Sequence, residues 1–185
     1  MKKNLLILLS ITFSLFASAQ SKYFTRNGRV FFNASSPLEK IEAINDKSTS
    51  VIDLSTGQIE FGVLLKAFLF ERSLMQEHFN ENYVESDKFP KATFKGTIAN
   101  VASVDRTKDG TYPVKVKGQM TLHGVTKDVE TTATFTVKNG VLSATTDFQI
   151  EAADYNIEIP GLVKDKVANT ISINVQSNYE PLKTS

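Results

Sequence analysis

Residues 114–137, VKVKGQMTLHGVTKDVETTATFTV, decide how this chain folds. Read two at a time, Val114, Val116, Gly118, Met120 and Leu122 fall on one face, and Lys115, Lys117, Gln119, Thr121 and His123 on the other. That is the period of a β-strand. After a break at Gly124-Val125-Thr126 the alternation resumes, with Val129, Thr131, Ala133, Phe135 and Val137 opposed to Asp128, Glu130, Thr132, Thr134 and Thr136. The segment predicts two long antiparallel strands, each with a dry face that something must cover.

The pattern repeats outward in both directions. Upstream, Ala92, Phe94, Gly96 and Ile98 oppose Thr93, Lys95 and Thr97, and the polar run from Asp105 to Gly110 predicts a hairpin loop. Downstream, Asn139-Gly140 is a dipeptide that tolerates the left-handed backbone of a tight hairpin. Leu142, Ala144, Thr146, Phe148 and Ile150 then share a face, a loop runs from Glu151 to Lys166, and Ile171, Ile173 and Val175 mark a last strand. Nearer the N-terminus, Ile59, Phe61, Val63 and Leu65 alternate, whereas Leu64, Phe68 and Phe70 load the other face, as in a strand buried on both sides or bulged. Val30, Phe32 and Ala34 alternate with Arg29, Phe31 and Asn33. Leu38 to Asn45 suits helix or strand, and Asn45-Asp46-Lys47 predicts a turn.

One segment changes period. Phe70, Leu74, Met75, His78 and Phe79 share a helical face opposite Arg72, Gln76, Glu77 and Asn80. The chain therefore reads as all-β, about eight or nine consecutive antiparallel strands with a short helical insertion that plugs or lids the sheet. Closing such a sheet removes its edges, so an antiparallel barrel is the expected architecture and a two-sheet sandwich the alternative.

With 185 residues, 41% of them hydrophobic, and a formal charge of +1, the chain suits one globular domain with a substantial core. Near-neutrality argues against a nucleic-acid partner. Residues 1–19 have the form of a signal peptide: Lys2 and Lys3, an apolar run from Leu5 to Phe16, and the small-x-small site Ala17-Ser18-Ala19. The expected mature domain is 20–185, in the periplasm or secreted. There is no cysteine, which removes disulfides and thiolate chemistry, and two histidines make a structural zinc site improbable.

The segment from Gly118 to Val129 resembles the G-x-L-T-x-H-G-V-T-K-x-V signature of the YceI-like, polyisoprenoid-binding proteins. Met75-Gln76-Glu77-His78-Phe79, the run from Phe89 to Phe94, and Asp154-Tyr155-Asn156-Ile157 extend the resemblance over roughly Gly57 to Val175, while Lys22 to Leu54 departs from the family pattern. The resemblance implies an eight-stranded lipocalin-like barrel that holds an isoprenoid tail in an apolar tunnel.

On that reading the candidate tunnel residues are Phe61, Val63, Leu65, Phe68, Phe70, Leu74, Met75, Phe79, Phe94, Ile98, Val116, Met120, Leu122, Phe135 and Phe148. His78 and His123 are candidate polar groups at the mouth, although a turn histidine such as His123 more often fixes its hairpin. Neither a G-x-S-x-G elbow nor an H-E-x-x-H pair is present, so the chain reads as a non-enzyme. The expected ligand is a polyisoprenoid, quinone-like or other lipid, with transient membrane contact and no metal. The rival readings are a surface barrel with a filled core, structural or stress-related, and a barrel-fold small-molecule binder or enzyme.

Overall fold

The computed structural model describes residues 21–182, so the leader expected over 1–19 lies outside the described residues. The strands are β1 Lys22–Ser35, β2 Glu42–Asp53, β3 Gln58–Leu64, β4 Leu69–Phe70, β5 Lys91–Ile98, β6 Gly110–Leu122, β7 Val125–Lys138, β8 Val141–Glu151 and β9 Val167–Pro181, with helix α1 at Ser73–His78. The long strands pair antiparallel in chain order, and β9 returns to pair with β1. This closes an eight-stranded barrel and rules out the sandwich. The two-residue β4 adds to β2 at one end.

Alternation sets the inside of the barrel. Val114, Val116, Met120, Leu122, Ala133, Phe135 and Val137 are all buried. Two tight turns hold the β6–β7–β8 meander: His123-Gly124 and Asn139-Gly140 both have positive φ at the two central positions. Such turns match the right-handed twist of the strands they join. The break expected at Gly124-Val125-Thr126 therefore contracts to two residues, and Val125 already pairs with Leu122.

Two local expectations are corrected, and a segment left open between helix and strand is resolved. Asn45-Asp46-Lys47 is not a chain reversal but the middle of β2. The local hydrogen bond that makes Asn a turn residue is present, from Lys47 N–H to Asn45 Oδ1 at 2.8 Å, but the Asn45 amide also donates to Leu64 O at 2.9 Å. That second bond ties the irregularity across to the end of β3, and the β1–β2 register shifts beside it. Leu38 to Asn45 holds no helix; β2 begins at Glu42. Leu64 does not belong to a doubly buried strand: it is exposed, β3 ends there, and the single 3₁₀ turn Leu65–Ala67 redirects the chain so that Leu65 and Phe68 both point inward.

α1 is shorter than the apolar spacing predicts. Phe70 lies in β4, and after His78 the chain widens into a π-turn, Phe79–Tyr83, closed by Val84 N–H to Phe79 O at 3.0 Å. Phe79 stacks on Phe32 at 5.5 Å between centroids and meets Phe68 and Phe70 at 5.7 and 5.1 Å. This aromatic cluster, not helix propensity, seats so short a helix over the barrel end.

Candidate functional site

The barrel interior divides into two levels. At the end where β1 begins and β9 finishes, Tyr23, Ile52, Ile98, Val114, Val137 and Leu142 meet in the middle. Val101, Val104 and Tyr112, from the β5–β6 connection and the start of β6, pack against them. Arg106 closes this end further, its guanidinium donating to the Tyr23 hydroxyl and lying over the Tyr23 ring at 5.4 Å.

Above this plug the barrel is hollow. A cavity of about 530 Å³ runs to the opposite end, a size in the range of small-molecule sites. Its deep wall includes Ile59, Val116, Ala133, Phe135, Ala144 and Tyr179; its upper wall includes Phe32, Phe61, Phe68, Leu122 and Phe148. The mouth lies among three excursions: the β1–β2 loop with Glu39 and Ile41, the α1 segment with Arg72, Leu74, Met75 and His78, and the β8–β9 loop with Ile157, Val163 and Lys166.

All the apolar candidates read from the sequence line this cavity except Ile98. Ile98 shares the inward face of β5, but it lies so near the strand's end that it falls in the plug. Sequence reasoning passed over Val30, Phe32, Ile59, Ile157, Ile173 and Val175 as lining residues. Most were visible as inward positions of strands; only closure of β9 onto β1 brings them round to the same lumen.

The two histidines part company. His78 is exposed and lines the mouth. His123 does not reach the cavity. Its ring hydrogen-bonds the Tyr155 carbonyl through Nδ1 at 3.0 Å and Glu85 Oε2 through Nε2 at 2.8 Å. A carbonyl and a carboxylate both accept, so both bonds form together only when both ring nitrogens carry protons. The contact holds the Glu85 carboxyl below its usual range, with Lys88 adding to the effect. Phe89 packs edge-on against the same ring at 4.8 Å. His123 is thus a latch joining the β6–β7 turn, the end of the helical excursion and the β8–β9 loop.

The polarity of the wall is graded. Its charged residues, Glu39, Arg72 and Lys166, and its one imidazole, His78, all belong to the mouth. Arg72 bridges to Glu39 across it. Deeper polar groups are hydroxyls, among them Thr131, Thr146, Ser177 and Tyr179. Tyr179 donates to Ser50 Oγ at 3.0 Å, and burial pushes its phenol above the ordinary value. No cluster of His, Asp and Glu able to hold a metal ion occurs among the described residues. An arrangement of this kind can take up an apolar chain and face its polar end to solvent.

Solved structures with the same fold include a polyisoprenoid binding domain from Saccharophagus degradans implicated in plant cell wall breakdown. It is 16% identical, with a TM-score of 0.77 over 88% of this chain and 99% of that one. BcnA of Burkholderia cenocepacia is 15% identical, with a TM-score of 0.69 over 83% and 96% of the two chains. The YCEI protein of Campylobacter jejuni is 15% identical over the whole of both chains, with a TM-score of 0.55. No curated protein matches the chain. The YceI-like domain matches residues 23–179, taking in the opening strand pair that departs from the common pattern, and the chain belongs to that family.

Proposed function

We propose that this protein is an exported binding protein that sequesters or carries a long-chain isoprenoid, or a similar amphiphile such as a quinone-like lipid, in its barrel. The observation that carries the reading is the apolar cavity, plugged at one end and open among charged residues at the other. The description of the Saccharophagus degradans neighbour as a polyisoprenoid binding domain supports the same class of ligand. The chain lies inward and its polar end sits by Arg72, His78 and Lys166.

Each methylene buried from water contributes about 0.8 kcal/mol. A tail drawn from a membrane was already in an apolar medium, so most of that gain cancels. Selectivity then comes from the shape of the tunnel and the few polar groups at its mouth, which suits a carrier that must release its cargo. Leucines stand exposed on the excursions around the mouth, Leu38 on one loop, Leu74 on α1 and Leu162, 98% exposed, on another. They are placed to touch a bilayer transiently while a chain passes. Because the deep wall offers hydroxyls and no carboxylate, amine or imidazole, it lacks an acid–base pair, which supports binding over catalysis.

Native mass spectrometry and lipid extraction of the exported, mature protein test the reading. The expected result is a mass beginning at Gln20 with a co-purifying isoprenoid or related lipid. Recovery of no hydrophobic ligand, with failure to take up added prenols, would reject it.

A further inference from the structure

The tunnel wall has a depression that two glycines create. Gly96 on β5 and Gly118 on β6 are register partners, and both belong to the inward-facing series of their strands. Neither has a positive φ, so glycine is required here for space and not for backbone conformation. A β-carbon on Gly96 would stand 2.4 Å from the Lys117 carbonyl oxygen and 2.6 Å from Cζ of Phe94. One on Gly118 would stand 2.3 Å from the Lys95 carbonyl oxygen and 2.7 Å from the same Cζ. The backbones of β5 and β6 therefore approach closely here, and the ring tip lies over both glycines. One ring tip thus occupies the room left by both missing side chains. Phe94 is rooted opposite Met120, one inward position nearer the mouth, and its ring lies along the wall instead of pointing across the bore. Beyond it the cavity continues to Val116, Phe135, Ala144 and Tyr179.

Resting on the carrier reading above, we infer that Phe94 sets the bore of the tunnel. Bedded on Gly96 and Gly118, its ring leaves the deep half open to the far end of a bound chain. The bulk at position 94 and the space beneath it therefore decide the longest chain accepted.

The test uses delipidated mature protein, wild type and variants, titrated with the series geraniol, farnesol, geranylgeraniol and solanesol in competition with a fluorescent fatty acid. Phe94→Trp exceeds the depression and moves bulk into the bore. It is expected to weaken geranylgeraniol and solanesol about tenfold or more while geraniol, held in the upper half, changes less than about twofold. Phe94→Leu is expected to keep the long prenols. Gly118→Ala should imitate Phe94→Trp, but its β-carbon would also meet the Lys95 carbonyl at 2.3 Å, so where it fails to fold Phe94→Trp decides alone. Equal losses at every chain length, or no loss, would overturn the inference and leave Phe94 as ordinary packing. A wild type that binds none of the prenols counts against the carrier reading. The crystal structure of Phe94→Trp then decides the inference: a blocked deep half upholds it and an open one overturns it.

Discussion

The two ends of this barrel are built from the same strands and the same alternation, yet one is solid and the other hollow. At the plugged end, Tyr23, Ile52, Ile98 and Leu142 reach each other across the lumen, and the β5–β6 connection folds over them. At the mouth end the aromatic rings of Phe32, Phe68, Phe70 and Phe79 pair among themselves along one side, beneath α1. They line the space without filling it. The difference teaches that inward-facing apolar residues supply a dry interior, whereas what the connections place over each end decides whether that interior is core or cavity.

Truncations at the two levels should break this comparison most plainly. Ile52 is fully buried in the plug, so Ile52→Ala leaves a void among packed neighbours and is expected to lower stability by about 2–5 kcal/mol. Phe148→Ala removes a ring that already borders open space, so denaturant titration should show a smaller loss, with the larger change in lipid retention. Equal stability losses would mean that the upper half is as solidly packed as the plug.

The latch gives a smaller effect. His123→Asn keeps a residue that tolerates positive φ but forfeits the Tyr155 and Glu85 contacts, at a cost of about 1–3 kcal/mol. The pH dependence follows from Glu85. Its carboxyl is held below the ordinary value in the folded protein, so its contribution is complete above the unfolded carboxylate pKa and is lost as pH falls through the lowered folded one. Glu85→Gln should therefore flatten the acid limb of a Tm-against-pH curve that the wild type shows. An unchanged acid limb would remove the latch from the account of how the mouth is held.

The mildest change should be Leu162→Asp. This side chain makes no packing contribution at 98% exposure, so stability should move by less than about 0.5 kcal/mol. Lipid pick-up from vesicles, followed by a fluorescent analogue, should slow nonetheless. Unaltered transfer would separate the exposed leucines from membrane contact and leave the tunnel reading intact.

Much of this molecule was legible because the signals are local. Residues 114–137 give their strands and inward faces by a period of two, and Asn139-Gly140 gives its turn by backbone conformation alone. Asn45 mimics a turn for an equally local reason. Its short-range hydrogen bond is the one a turn would make, and only the Leu64 carbonyl across the sheet shows that it sits inside a strand. In the sequence His123 suits both a hairpin and a tunnel mouth; its backbone has the positive φ of the first, while Glu85 and Tyr155, distant in sequence, draw its ring away from the tunnel.

By itself, then, the sequence determined an all-β chain, the dry face of each strand and the positions of its tight turns, since these depend on neighbours one to four residues apart. Tertiary structure alone decided that Ile98 is plug and Phe94 is wall, that Gly96 and Gly118 lie side by side, and that one end stays open. Those facts depend on which residues closure of β9 onto β1 brings face to face, and no period in the chain encodes the distance across a lumen.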